Sequence, residues 1–219
     1  MEQDIAITNI SLDLLGQARN FYQHAAHLLN ESGDAKEPVT EDALAYLRTE
    51  REFKNPLLAE LPKGDWAQTV LRQFFFSVYQ SLLYTKLLQS NDRELAAIAE
   101  KSLKEITYHI KWSSEWVIRL GDGTEESKRR MQNAIDAIWA FTGELFIQPE
   151  YATAACLNYA AIQTAWNQKV SAIFEEAGLV IPAKTFVQKG GATGMHTEHL
   201  GYILAEMQYL QRAYPNSEW

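Results

Sequence analysis

The chain has 219 residues, 47% of them hydrophobic and 22% charged, with 28 Asp and Glu against 20 Lys and Arg. This is an ordinary globular composition with ample core material, and the formal charge of −8 argues against nucleic acid as a partner, because phosphate binding needs a basic surface. One cysteine, Cys156, excludes an internal disulfide, no apolar run approaches the ~18 residues of a membrane span, and the start MEQDIAIT lacks a signal peptide's basic and apolar regions, so a soluble, cytoplasmic protein is expected.

Nearly every segment predicts helix. Ile7, Ile10, Leu14, Phe21 and Leu28 recur at helical spacing over residues 5–29. NESGDAKEP (30–38) interrupts that helix with Gly33 and Pro38. A shorter helix is expected over 41–53, ended by Asn55-Pro56. Asp65 with Gln68 reads as a capping pair opening a helix over 66–90. Asn91 or Asp92 caps the next, about 92–120, which stops at Gly121-Asp122-Gly123. Thr124 caps a helix over 125–147, ended before Pro149. A further helix is expected over 158–178, then a loop over 179–194 with Pro182, Gly190, Gly191 and Gly194, the best candidate for a mobile segment. A last helix is expected from 195 to 213. Neither a repeat nor a convincing strand pair is present.

Long helices with short connections predict an all-α, up-and-down bundle with additional C-terminal helices. The segment 66–90 carries Val70, Leu71, Phe74, Phe75, Phe76, Val78, Leu82, Leu83 and Leu87, apolar nearly all round, and so is expected at the centre or under another subunit. Tyr22, Trp112, Trp116 and Trp139 cannot all be fully internal in a bundle of this size, although some of them are expected inside. They predict a partner-facing surface on the long helices and a homodimer or larger assembly of the isolated chain.

Polar residues interrupt the apolar stripes. Gln17 and His24 share a side with the 7-10-14-21-28 stripe, and Ser102, Glu105 and His109 share one with Leu95, Ile98, Trp112 and Trp116. Buried Gln, Glu and His need partners. A metal or proton-relay site inside the bundle is one reading; a satisfied polar pair, or a partly exposed contact between Glu105 and His109 four residues apart, is the commoner one. Glu105 and His109 are four apart, whereas carboxylate-bridged di-iron bundles use Glu-x-x-His. In HTEHLGYILAEMQYLQ, His196, His199 and Glu206 could bind a metal. Two helical turns span about 10 Å, too far for one ion, so a capping or interface role is favoured. Cys156, in an Ala-rich stretch, reads as a packed thiol. A phosphate loop, a nucleophile elbow and a Cys-x-x-Cys pair are all missing from the sequence.

SLDLLGQARNFYQHA (11–25), LAYLRTEREFKN (44–55), KEITYHIKWSSEWVIRLGDGT (104–124), WAFTGELF (139–146) and GMHTEHLGYILAEMQYLQR (194–212) together resemble the structural, non-catalytic C-subunit family of the bacterial phenylacetyl-CoA epoxidase, or ring 1,2-monooxygenase. The likeness spans nearly the whole chain and is weakest over 150–185. It implies a single ferritin-like domain over 1–219, without cofactor of its own. The implied partner is a related catalytic subunit that holds a di-iron centre and binds the acyl-CoA, with electrons arriving from NADPH through other components. It also implies which positions once held metal. One Glu-x-x-His of the catalytic relatives falls on Leu14 to Gln17 here, the other on Ile106 to His109, and a third-helix carboxylate on Ser77. These five residues are then a vestigial site that holds no metal. Family members begin with a further helix, and the resemblance implies that it is missing here, which leaves the bundle one helix short. The alternatives are a stand-alone di-metal oxygenase or oxidase using Glu105, His109, His196, His199 and Glu206, and a helical binding module without an oxygenase partner.

Overall fold

The computed structural model describes residues 1–33, 37–150, 152, 157–183, 186–215 and 217. Among the described residues there are seven α-helices, α1 (Glu2–Ser32), α2 (Trp66–Leu87), α3 (Arg93–Gly121), α4 (Glu125–Ile138), α5 (Tyr159–Glu176), α6 (Glu198–Met207) and α7 (Tyr209–Ala213), and no strand. Local chemistry starts them where the sequence indicates. The Asp65 carboxylate accepts from the Gln68 backbone N–H while the Gln68 side chain reaches back to Asp65, satisfying two orphan groups of the first turn. Asp92, Thr124 and Asn158 cap α3, α4 and α5 through their side chains.

Helix α2 is central, as its wide apolar surface requires. Val70, Leu71, Phe74 and Phe75 are fully buried. The helix packs most extensively on α3, and also on α4 and α5, while α1 lies on α3. Phe75 meets Trp139, Trp166 and Phe174 at centroid distances of 5.7, 5.4 and 5.9 Å. The Trp166 Nε1–H donates to the Phe75 carbonyl at 2.9 Å, so the largest ring of the core leaves no buried donor unpaired.

Several expectations are corrected. Residues 41–53 form no α-helix but a π-helical turn, Ala43–Leu47, and a 3-10 turn, Glu50–Glu52. The chain becomes extended at Arg48, and Thr49 restarts it as a second cap, bonded reciprocally with Glu52. Helix α4 stops at Ile138 and continues as two 3-10 turns, Trp139–Phe141 and Gly143–Phe146, with the Thr142 hydroxyl bonded to the Trp139 carbonyl. The last helix starts two residues later than its first histidine, after cap Thr197, and breaks at Gln208, whose side chain donates to the Arg48 carbonyl. Leu28, read as part of the apolar stripe of α1, is exposed, as are Ile5, Leu12 and Leu15.

Of the four aromatic residues expected to exceed one core, Trp112 is buried and Tyr22, Trp116 and Trp139 are only partly buried. Trp112 and Trp116 stand edge-on to Trp66, and the Trp116 Nε1–H donates to Gln3. Trp139 packs on Phe75 and Trp166, and the Tyr22 hydroxyl accepts from Arg48. Exposed rings lie on α3 at Tyr108, outside the helices at Phe186 and Tyr214, and on α6 and α7 at Tyr202 and Tyr209. These two helices form a C-terminal arm whose principal contacts are with each other and with the turns over 43–52. The arm contributes Leu200 and Leu204 to a small apolar cluster with Phe53, separate from the main core. Among the described residues no helix is long and apolar enough to cross a membrane. Cys156 lies outside the described residues.

Candidate functional site

The polar positions singled out in α1 and α3 do face each other. Gln17 is buried and donates through Nε2 to Glu105 Oε2 at 2.8 Å. His109 is fully buried, 0% exposed, and its Nε2 lies 3.0 Å from Asp13 Oδ2. Gln17, Glu105 and His109 are therefore divided between two pairs, and Glu105 is only half-buried. Asp13 escaped the sequence reading. Its one signal is its position four residues before Gln17, one helical turn along α1.

Ile106 lies between these pairs, 0% exposed, in a cluster with Tyr84 and Ala99, and Leu14 and Phe21 pack against that cluster. Helix α2 supplies its own polar groups. Ser77 is fully buried and accepts from Gln73 at 2.8 Å, and Gln80 donates to the Tyr84 hydroxyl at 3.2 Å. Burial pushes the Tyr84 phenol up from its ordinary value, and the nearby Glu105 carboxylate adds to this against the bond from Gln80. Not every group in the layer is satisfied. Gln17 Oε1, Gln80 Oε1 and His109 Nδ1 are buried without a hydrogen-bond partner.

His24 stands further along α1, its Nε2 2.6 Å from Asp92 Oδ2. The Asp92 carboxylate is held below the usual range, first by the Leu95 backbone N–H and then by His24. The helix cap of α3 is thereby tied to α1.

The C-terminal trio separates. The His196 side chain is buried against Glu60, whereas His199 and the exposed Glu206 line a shallow groove with Glu60, Lys63, Tyr202 and Ile203. His196 Nδ1 lies 2.6 Å from Glu60 Oε1 and its Nε2 lies 3.0 Å from the Phe53 carbonyl oxygen. Both nitrogens are engaged, so neither offers a lone pair to a metal. The 179–194 loop, expected to be mobile, is pinned where it is described near its end. Buried Glu144 accepts the backbone N–H groups of Gly190 and Gly191 through Oε1 and of Leu57 through Oε2, at 2.7, 2.8 and 2.8 Å. A Cβ on Gly191 would stand 2.0 Å from the Asn55 carbonyl oxygen, so only glycine permits this approach. Glu60 and Glu144 were not foreseen, and no local pattern marks either.

The layer between α1, α2 and α3 thus offers hydrogen bonds and apolar packing, with carboxylates paired to an amide and an imidazole. Among the described residues no three His, Cys, Asp or Glu side chains come together to hold a metal ion. The donor set does not fit a carboxylate-bridged pair of iron ions, which needs several converging carboxylates and imidazoles.

A family model described as "Phenylacetic acid catabolic protein" matches residues 1–219. The chain is 46% identical over 224 residues to the C subunit of the 1,2-phenylacetyl-CoA epoxidase of Escherichia coli (strain K12), with 100% of this chain and 88% of the relative covered.

Proposed function

The chain belongs to the phenylacetic acid catabolic protein family, and from that premise we propose that it is the C subunit of a phenylacetyl-CoA epoxidase. In this reading it is a single cytoplasmic domain that acts as the non-catalytic scaffold of the complex in aerobic phenylacetate breakdown. It carries no cofactor. It binds the related di-iron subunit over a broad helical face and keeps that subunit soluble and correctly shaped, while oxygen chemistry and acyl-CoA binding occur on the partner.

The observation that carries this reading is the chemistry of the layer between α1, α2 and α3. The positions that the resemblance assigns to metal ligands hold Leu14, Gln17, Ser77 and Ile106, and the remaining imidazole, His109, is bonded to Asp13. Leu14 and Ile106 add apolar contacts in place of charge, which stabilises a bundle without metal. Three orphaned polar atoms, on Gln17, Gln80 and His109, fit a site whose partners have been replaced one at a time, because buried polar groups ordinarily find partners. The same geometry disfavours a stand-alone di-metal enzyme, since His196 is engaged at both nitrogens in the arm while Glu105 and His109 lie in the bundle.

Elemental analysis after anaerobic loading with ferrous iron tests the scaffold role. We expect no stoichiometric iron, and about two irons per chain would overturn it. Light scattering of the chain alone, and then with the di-iron subunit, tests the partner. A homodimer or larger assembly that converts to a mixed complex is expected. A monomer that ignores the di-iron subunit would refute the assignment.

A further inference from the structure

Helix α6 has an outward face that its own chain leaves uncovered. Only Leu200 and Leu204 of this helix are buried, and both pack with Phe53. Gly201, Tyr202, Ile203, Ala205, Glu206 and Met207 are exposed. Gln208 keeps right-handed helical dihedrals, so helical spacing carries into α7, where Tyr209 and Leu210 are exposed as well. Residues three and four apart are neighbours on a helix. Tyr202, Ile203, Tyr209 and Leu210 therefore ring Glu206, two before it and two after it.

A surface helix ordinarily turns polar residues to water. This one turns two tyrosines outward, 74% and 65% exposed, together with Ile203, Met207 and Leu210. Since an aromatic side chain covers about 150–250 Å², the five side chains offer on the order of 500 Å² of apolar surface, the size of the largest and often functional patch on a monomer. The adjoining groove brings Lys63 and His199 beside it as a polar rim, which takes the face toward the ~800 Å² that one partner of a stable interface buries. Gly201 points the same way. A Cβ there would meet nothing within 4 Å, so no contact inside the chain explains a residue that weakens a helix interior relative to alanine. Close approach of a helix from outside the chain does.

The charge at the centre identifies the occupant. Among the described residues no basic group pairs with Glu206. A second copy seated two-fold on this patch would set Glu206 against its own counterpart, because residues at the centre of an isologous contact face themselves. Like charges so placed oppose association, and the chain as a whole is acidic, at −8. A different subunit can bring arginine, which is enriched at interfaces. A second copy is thus the weaker occupant of this face and yields to a subunit that brings a cation. We propose that α6 and the start of α7 are the docking surface for the di-iron subunit, with Tyr202 and Tyr209 as apolar anchors and Glu206 paired to an arginine or lysine of that subunit. This rests on the C-subunit reading above and adds to it the surface and the polarity of the contact.

The test measures binding of the full chain to the purified di-iron subunit by calorimetry. Glu206→Lys is expected to weaken it about 100-fold or more, since an attraction becomes a repulsion. Tyr202→Ala is expected to weaken it about tenfold or more, as truncation of an interface anchor does. Glu115→Lys, the same charge change at an exposed position of α3, should bind like the wild type. An unchanged thermal unfolding curve checks the fold of each variant. Adding the di-iron subunit should also slow amide exchange over residues 201–210 of the wild-type chain, a readout that needs no variant. Binding that survives both arm substitutions, or exchange over 201–210 that the di-iron subunit leaves unchanged, would overturn this proposal and leave the C-subunit reading intact. A wild-type chain that does not bind the di-iron subunit would overturn both. If Glu206→Lys changes only the self-assembly seen by light scattering, the face belongs to a second copy and the proposal falls.

Discussion

Replacing Ile106 by Ala tests the idea that apolar residues, not metal, hold α1, α2 and α3 together. Ile106 is fully buried, packed with Tyr84 and Ala99 and bordered by Leu14, Phe21, Leu103 and Ile110. These neighbours come from three helices, each anchored by its own contacts, so the walls cannot readily close around a missing side chain. Large-to-small changes at buried aliphatic sites cost about 2–5 kcal/mol, more where collapse is restricted, so a loss of about 3–4 kcal/mol is expected. For a chain of this size that is a fall in melting temperature of roughly 6–16 °C, at about 2–4 °C per kcal/mol. The assay is guanidinium unfolding followed by far-ultraviolet circular dichroism, run once with ferrous iron under anaerobic conditions and once with a chelator. The two curves should coincide for both proteins. A loss below about 1 kcal/mol would mean that Ile106 does not carry the packing assigned to it, and a wild-type midpoint raised by iron would show that the layer is a metal site after all.

Two further outcomes are expected. His109→Ala should destabilise by about 1–3 kcal/mol in the same unfolding assay, since it removes a buried ring and its bond to Asp13; the cost stays in this range because Asp13, 36% exposed, can be rehydrated. Asp92→Asn retains a capping oxygen but cannot ionise. The wild-type carboxylate is held below the usual range, so its stabilisation is present above the ordinary Asp value of about 3.9 and is lost as pH falls through the lowered folded value. The stability difference between wild type and Asp92→Asn should shrink as pH falls below about 4, and a difference that grows in that range would contradict this origin.

The starts of α2, α3 and α4 were legible in the sequence because a cap acts over three residues: Asp65 with Gln68, Asp92 with Leu95, Thr124 with Ser127. The central place of α2 followed from its apolar circumference, and the facing of Gln17, Glu105 and His109 followed from helical period, which puts each on the buried side of its helix. Helical period says nothing about which polar group on one helix meets which on another. The Gln17–Glu105 and His109–Asp13 pairing, across 88 and 96 residues, was decided by how α1 rotates against α3. The same limit hid Glu60 and Glu144. Each is a lone glutamate in an ordinary stretch, and each became a buried anchor only when the chain brought distant groups to it, Glu60 meeting His196 and Glu144 meeting the amides of Leu57, Gly190 and Gly191. Local structure is written in side chains a few positions apart, whereas a buried carboxylate is defined by partners from elsewhere in the chain, many of them backbone groups that every residue possesses.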